Sequence, residues 1–344
     1  MSTVKVVVVG AGATGALISS LLQRTLGKNL SVEVWDKGRG VGGRMATSRV
    51  DQSSSLSVDM GAQYISVAEE YMREHKNIYD ELQQQEILAP LKCNVEGLVK
   101  KEGTQDFVMS HGSNSLPKYF LTQAGCSVKK STTLETVDIN QSKIQLVSDN
   151  VQAEADIVVL TMPVPQILKL KGNISSYVRP YQKKLKAVEY SSRYSLGLFY
   201  PGASVHADVD WCFKYVNDNP CLRYVAIDTV KRQTDPAEGL SVVAHTSVPF
   251  GVKHLEKSFE DVQPIIFENL KTILPNLPEA KHSKIVRWRY SQVTTPYDGE
   301  PGCLVLNRNP LLVCAGDGFK HSNLDGCIQS ALSVVDAIKR HLSR

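Results

Sequence analysis

The stretch that decides the fold is Val4-Lys5-Val6-Val7-Val8-Val9-Gly10-Ala11-Gly12-Ala13-Thr14-Gly15. A run of valines in an apolar segment is what a parallel strand buried on both faces requires, and Gly10, Gly12 and Gly15 follow it at the G-x-G-x-x-G spacing. The reading is a strand, a tight turn and a helix: Gly10 permits the turn, Gly12 lets the backbone approach a pyrophosphate, and Gly15 lets the helix pack on the strand. The helix N-terminus is thereby aimed at the phosphates.

Working outward, Leu17, Ile18, Leu21 and Leu22 recur at helical spacing, a Gly-Lys-Asn turn follows, and a strand from Ser31 to Trp35 ends in Asp36. An acid about 20 residues beyond the last glycine is placed to accept hydrogen bonds from ribose hydroxyls. Lys37 and a glycine-dense run through Gly42, Gly43, Arg44 and Met45 come next, where the backbone lies close to a ligand and the lone arginine pairs with a phosphate or a flavin carbonyl. A Ser-rich loop, Ser48 to Ser57, precedes Asp59-Met60-Gly61-Ala62-Gln63-Tyr64, a segment that resembles the one passing under the flavin ring in flavoproteins of the amine-oxidase type, which implies that Gln63 and Tyr64 face the flavin or its substrate; the plain alternative is a loop entering a strand.

Further along, Glu69 to Glu86 reads as one helix with Tyr71, Met72, Ile78, Tyr79 and Leu82 along a stripe, Leu98 to Met109 as a hairpin turned by Glu102-Gly103, and Gly112 to Ser115 as the start of a helix. Ala155 to Thr161 is a second buried strand, stopped by Pro163 and Pro165. Strands at Tyr190–Tyr200, Leu222–Asp228, Ser241–Ser247 and Lys284–Val293, with a helix near Asp261–Ile273, suggest an antiparallel sheet of half-buried strands with one face over a cavity. At the C-terminal end Leu311 to Ala315 is a short buried strand leading to Gly316-Asp317, and Asn323 to Gly326 opens a helix with Ile328, Ala331, Leu332, Val335 and Ile338 inward. Gly-Asp at a strand end followed by a helix start suits the ribityl chain and flavin of FAD, so both chain ends serve one cofactor site.

Composition bounds the function. The 344 residues suffice for two cores, 42% hydrophobic and 22% charged content is ordinary for a globular protein, and a net charge of +4 without a basic run gives no footprint for nucleic acid. No apolar run approaches the roughly 20 residues of a membrane span. Cys93, Cys126, Cys212, Cys221, Cys303, Cys314 and Cys327 are odd in number and lack metal spacing, so they read as reduced thiols of a reducing compartment, and no metal site is expected. The N-terminus imitates a signal peptide, but its residues are needed for the first strand and phosphate turn, which favours a cytosolic protein.

With these segments on the page, the chain resembles the renalases, within the amine-oxidase-like flavoprotein superfamily. The likeness rests on Val34-Trp35-Asp36-Lys37, Gly42-Gly43-Arg44-Met45, Gly61 to Ile65, Leu160 to Pro165, Tyr190 to Tyr194, Val248 to Val252 and Gly316 to Phe319. It implies an α/β fold: a Rossmann-type FAD-binding domain of the p-hydroxybenzoate hydroxylase kind (residues 1–90, 111–165 and 303–344) carrying an inserted substrate domain on an antiparallel sheet (91–110 and 166–302). The implied activity is oxidation of 2- and 6-dihydro isomers of NAD(P)H to NAD(P)+ by hydride transfer to flavin N5, with O2 reoxidation to H2O2, in a monomer or weak dimer. Non-covalent FAD is expected on Gly10, Ala11, Gly12, Thr14, Gly15, Asp36, Lys37, Gly43, Arg44, Met45, Gly61, Ala62, Gln63, Tyr64, Thr161, Gly316, Asp317, Asn323 and Gly326. Tyr64, His245, Trp288 and Arg223 are the candidate substrate residues: Trp288 to stack a nicotinamide, His245 or Arg223 to hold an amide or phosphate. His245 equally reads as a hydrogen-bonded core histidine, and Arg223 as an edge-strand surface charge. Competing readings are a flavin monoamine oxidase, a non-catalytic binding or extracellular signalling protein on the same fold, and a secreted location.

Overall fold

A computed structural model describes residues 3–51, 56–99, 102–202, 205 and 207–343. The chain divides into two compact units, one of residues 1–43, 116–190 and 293–344, the other of 44–115 and 191–292.

The first unit is built on a six-stranded sheet in the order Cys303–Arg308, Leu311–Ala315, Ile157–Leu160, Val4–Val9, Leu30–Trp35, Ser127–Lys129. All neighbours are parallel except the Cys303–Arg308 edge. The Val4–Val9 strand sits near the middle, with Val6, Val7 and Val8 wholly buried, which is why it is valine from Val6 on: a central parallel strand has no solvent side, and Lys5 lies at its partly exposed start. The Ala13–Leu26 helix follows it and packs against the long C-terminal helix Leu324–Leu342. On that second helix Ile328, Ala331, Val334, Val335 and Ile338 are buried, whereas Leu332, expected inward, is 40% exposed. Leu134–Ile139, Ile144–Ser148 and Gln152–Ala155 form an antiparallel meander whose Val137 and Leu146 share a core with Val158, Leu160 and Phe319.

The second unit holds another six-stranded sheet, ordered His282–Trp288, Arg193–Pro201, Gly239–Thr246, Leu222–Ile227, Trp211–Tyr215, Asn94–Glu96. Its pairs are antiparallel except the last. One face, with Leu196, Leu198, Val225 and Val242, packs on Val262, Ile266 and Leu270 of the Phe259–Lys271 helix. The other, with Phe199, Phe213, Ala226 and Val243, packs on Val58 and Met60. The middle strands are therefore buried on both faces rather than half-buried. Gly197 is needed for this layer, because a Cβ there would stand 2.7 Å from Val58 Cγ2.

Several boundaries differ from the sequence reading. Residues 44–90 and 111–115 belong with the sheet of the second unit, because the Ser57–Asp59 strand packs against the Arg193–Pro201 and Gly239–Thr246 strands. Residues 166–190 and 293–302 belong with the first unit, where Glu189–Tyr190 pairs with Val293–Thr295. The expected helix from Glu69 to Glu86 is two, Glu69–Glu74 and Lys76–Gln84, broken at the buried His75. In place of the expected hairpin, Thr104–Met109 pairs with Ile65–Ala68 and Leu88–Pro90 among the described residues; residues 100–101 of that stretch lie outside them. Thr47–Arg49 and Ser57–Asp59 pair across the Ser-rich loop, whose residues 52–55 also lie outside them. Cys93 and Cys212 form a disulfide, against the expectation that all seven cysteines are reduced: the parallel pairing of Asn94–Glu96 with Trp211–Tyr215 brings the two together.

Beneath the second sheet lies a buried ionic cluster. Lys231 Nζ is 2.8 Å from Asp59 Oδ2 and ion-paired to Asp228 Oδ1, and Arg232 Nη2 is 2.7 Å from Asp59 Oδ2 and 3.2 Å from Asp228 Oδ2. Burial opposes ionisation of Asp59, yet Lys231 and Arg232 hold its carboxyl well below the usual carboxylate range. Lys231→Met leaves two buried carboxylates facing one cation, and urea unfolding should show a loss of about 3–5 kcal/mol. A loss below about 1 kcal/mol, the level of a surface pair, would contradict the cluster's role.

Candidate functional site

In the first unit the end of the Val4–Val9 strand makes an anion cradle. Gly10 has φ +116°, and Thr161 Oγ1 occupies the place its Cβ would take while donating to Val9 O at 2.9 Å. A Cβ on Gly15 would run into Gly10 O, so this glycine is what lets the helix start against the strand. Gly12 is different: its φ is −82° and a Cβ would meet only Gly42 O, at 3.8 Å. Nothing within the protein demands glycine there. The open space lies at the N-terminus of a 14-residue helix that has no side-chain cap and no acid in its first turn. Backbone N–H groups at such an end are a ready anion site, and the residues fit a dinucleotide pyrophosphate.

Asp36 ends the next strand. Its Oδ2 accepts from Ala11 N at 2.7 Å and its Oδ1 from Gly38 N at 2.6 Å, so it ties the Gly38–Gly43 turn to the phosphate turn. A carboxylate has about four acceptor positions, which leaves capacity for ribose hydroxyls. Gly42 N donates to Ala11 O at 2.9 Å, and a Cβ on Gly43 would stand 3.6 Å from Gly12 Cα. Lys37 is exposed and Thr14 buried. The two chain ends do meet within this unit: Gly316 follows the Leu311–Ala315 strand with φ +117°, and Ser330 Oγ receives its N–H at 2.8 Å. Asp317 is buried, and Asn323 Oδ1 caps the long helix by accepting from Gly326 N at 2.7 Å. Cys314 is wholly buried, and burial pushes its thiol pKa far up, so it offers no thiolate for attachment.

Arg44, Met45 and Gly61 to Tyr64 lie in the second unit. Arg44 Nη1 donates to Ser291 O at 3.3 Å, Met45 is buried, and Ala62 N donates to Arg44 O at 2.9 Å. A Cβ on Gly61 would run into Arg44 O, which explains that glycine without a ligand.

Three of the four candidate substrate residues share a face of the second sheet. His245 pairs in register with Ser195 and Tyr224, and Trp288 with Arg193. Trp288 Nε1 donates to Met60 O at 2.7 Å and Ser195 Oγ at 3.1 Å, which fixes the indole plane. The Tyr64 hydroxyl bonds to that of Tyr215, and burial with this bond raises its pKa, so it stays protonated. His245 is pushed down to about 3 by burial and by the Arg193 and Lys231 charges, and is neutral at physiological pH. Arg223 differs: it is exposed, donates to Asn217 Oδ1 and stacks 5.8 Å from the Tyr215 ring. It nevertheless lies close enough to Arg193 to lower that guanidinium's pKa, after burial.

Sequence reasoning assigned no role to Arg193, Tyr215, Tyr224 or Lys231. Tyr224 stands edge-on to His245 at 5.9 Å and to Tyr215 at 5.1 Å, so the imidazole has an aromatic wall. Alternation along Leu222–Ile227 could have flagged Tyr224, but no local signal marks Lys231 as buried.

Comparison with known proteins fits this geometry. A model of the NAD(P)-binding Rossmann-like domain matches residues 8–82, and a model of flavin containing amine oxidoreductases matches residues 75–339. Mouse (Mus musculus) renalase is 43% identical over 341 residues, covering 98% of this chain and 99% of the mouse protein. The chain belongs to the renalase family. Its cofactor is accordingly FAD, within the flavin-containing amine oxidoreductases. Two solved structures share the fold over their whole length and all of this chain: a putative protoporphyrinogen oxidase from Exiguobacterium sp. 255-15 (TM-score 0.74, 14% identity) and a putrescine oxidase (TM-score 0.68, 15% identity). Among the described residues, no helix is long and apolar enough to cross a membrane.

Two predictions follow the glycine and histidine geometry. Gly15→Ala should destabilise even FAD-free protein by about 1–3 kcal/mol through the clash with Gly10 O, whereas Gly12→Ala should cost less than about 1 kcal/mol there yet weaken FAD retention, as urea unfolding and visible absorbance will report. For His245, the native pKa lies below the unfolded value of 6.5, so its contribution to stability is complete above pH 6.5 and declines as pH falls toward 3. The stability advantage of wild type over His245→Gln should therefore shrink between pH 7 and pH 4.5; an advantage that grows with acidification would show a protonated histidine.

Proposed function

We propose that this protein is an oxidase of misplaced dihydronicotinamides: it takes hydride from 2- and 6-dihydro isomers of NAD(P)H, leaves NAD(P)+ and passes the electrons to dioxygen. The overall balance is dihydro-NAD(P), one proton and O2 giving NAD(P)+ and H2O2. The observation that carries this reading is the charge of the face around His245. Arg193 donates from Nη1 to Thr246 O at 3.1 Å, next to His245, and the histidine between Tyr224 and Gln63 is neutral; the exposed Arg223 on Tyr215 adds positive charge that Arg193 feels. An ammonium substrate would meet the Arg193 guanidinium, whereas a dinucleotide brings a neutral ring for the aromatic face and anionic phosphates for the positive charge.

FAD supplies the two-electron acceptor and the return of electrons to oxygen. The residues of the chain then need only bind and orient. Trp288, held by Met60 O and Ser195 Oγ, offers a fixed aromatic surface to a nicotinamide ring. A dihydronicotinamide already carries its labile hydride, and loss of that hydride yields the aromatic cation directly, so no base is required. A protonated Tyr64 and a neutral His245 suit a site that transfers no substrate proton. In the first unit the Gly10–Gly15 turn, Asp36, Thr161 and the Gly316–Gly326 segment are proposed to hold the dinucleotide portion of the cofactor non-covalently. Arg44, Met45 and Gly61 to Tyr64 are proposed as further FAD contacts.

The test is anaerobic mixing of the FAD-loaded protein with 2-, 4- and 6-dihydro-NAD, and separately with monoamines, while following the visible flavin band. Rapid bleaching by the 2- and 6-isomers, with one H2O2 per turnover once air is admitted, is the expected result. Bleaching by an amine in place of the dinucleotides would replace this reading with that of an amine oxidase.

A further inference from the structure

The Gln63 carboxamide is surrounded by groups that allow it one orientation. Lys231 Nζ, which carries donors only, is 3.3 Å from one end, so that end is the carbonyl oxygen. Gly61 O is 3.1 Å from the other end and Asp59 O nearer still; both accept only, so this end is the NH2. His245 Nε2 lies 3.2 Å from the same NH2. The NH2 has two hydrogens for these three neighbours, so one is shared between Gly61 O and His245 Nε2; an Nε2–H would instead set two donors against each other, which favours a lone pair on Nε2 and the imidazole proton on Nδ1. Among the described residues Nδ1 has no hydrogen-bond partner.

Lys231 is itself immobile. It is wholly buried, hydrogen-bonded to Asp59 Oδ2 and ion-paired to Asp228, and only its remaining hydrogen reaches Gln63. Thr47 Oγ1 and Ser113 N occupy Asp59 Oδ1, at 2.6 and 2.7 Å, so the carboxylate is held from its far side as well.

We infer that Lys231 is a positioning residue: through Gln63 it locks His245 as the Nδ1–H tautomer, which offers a hydrogen-bond donor to a carbonyl oxygen of the substrate. The carbonyl in question is that of the nicotinamide carboxamide, a clause that rests on the proposed function; the tautomer does not. The same lock denies His245 the role of a base at Nδ1, since that nitrogen already carries the proton. It also leaves phosphate recognition to Arg193 and Arg223, because a neutral ring has no charge to offer.

The experiment is 15N NMR of histidine-labelled, FAD-loaded protein near pH 7.5, with the His245 signals assigned by their loss in His245→Asn. A protonated Nδ1 and an unprotonated Nε2 are expected in the wild type; the opposite tautomer overturns the inference. Gln63→Met removes the transmitter, and Lys231→Met removes its anchor. Both should give a mixture of tautomers and a kcat/KM for the dihydronicotinamide about tenfold lower, as for one lost hydrogen bond. Should Lys231→Met fail to fold, Gln63→Met still decides: an unchanged pure Nδ1–H signal in that variant refutes the lock. A wild type that shows the expected tautomer but does not oxidise dihydronicotinamides upholds the lock and refutes the functional reading instead.

Discussion

The second unit depends on one arrangement of charge, in which Asp59 and Asp228 meet Lys231 and Arg232 with almost no access to water. Removing two cations and two anions from water costs several kcal/mol per ion, and attraction in a poorly polarisable interior recovers this only with close geometry. An apolar quartet of the same volume would fold at least as well. What the ions add is direction. Asp59 N donates to Asp228 Oδ2 at 2.5 Å, Arg232 Nη1 reaches Ser57 O at 3.2 Å, and Ser241 Oγ donates to the same carbonyl at 3.0 Å. The strand Ser57–Asp59 is thereby held in register against elements about 170 residues away, and the chain that leaves it, Met60 to Tyr64, carries Gln63 to His245.

This explains which parts of the molecule the sequence discloses. The first unit is legible because its determinants are local: four valines, three glycines and an acid lie within one βαβ segment, and each is explained by a neighbour inside that segment or by Thr161. Gly12 is the informative exception, a glycine whose surroundings do not need it. The second unit is opaque because its determinants are distant. Val58 and Met60 look like part of the nucleotide domain by sequence, yet they pack on Gly197 and Phe199. Nothing in Asp228-Thr229-Val230-Lys231 separates it from a solvated turn, although Lys231 is 4% exposed and Val230 42%. His245 and Trp288 were legible as polar or aromatic residues on apolar strands, but the partner that sets the chemistry of His245 lies 182 residues away.

The cysteines teach a similar lesson. Their scatter along the chain is the reason for reading them as reduced thiols, but scatter in sequence says nothing of proximity once a parallel strand pair is formed. Cys93 precedes the Asn94–Glu96 strand and Cys212 lies at the register shift within its partner Trp211–Tyr215, and their bridge joins positions 119 residues apart at that edge of the sheet. With one disulfide formed, the cysteine content ceases to argue for a reducing compartment. The same strand carries Phe213 and Tyr215, which wall the aromatic face, so the covalent link secures the edge on which those rings stand.

Family membership alone leaves the substrate open, since flavin-containing amine oxidoreductases share the nucleotide unit whatever they oxidise. The distinction lies in what the second sheet presents. Oxidation of an amine asks the protein to tolerate a cation on approach and to shed its proton before hydride leaves; oxidation of a dihydronicotinamide asks for neither, and creates the cation only in the product. Here Lys231, next to Gln63, is spent on two carboxylates, the imidazole is kept neutral, and the cation next to His245, Arg193, is a guanidinium that cannot act as a base. A protein face with its titratable groups so committed supplies geometry and electrostatics rather than proton transfer, which is what the proposed hydride step asks of it; the one proton of the overall balance is needed only when dioxygen is reduced. On the proposed reading, the positive charge of Arg193 next to His245 favours the approach of an anionic dinucleotide and opposes that of an ammonium group.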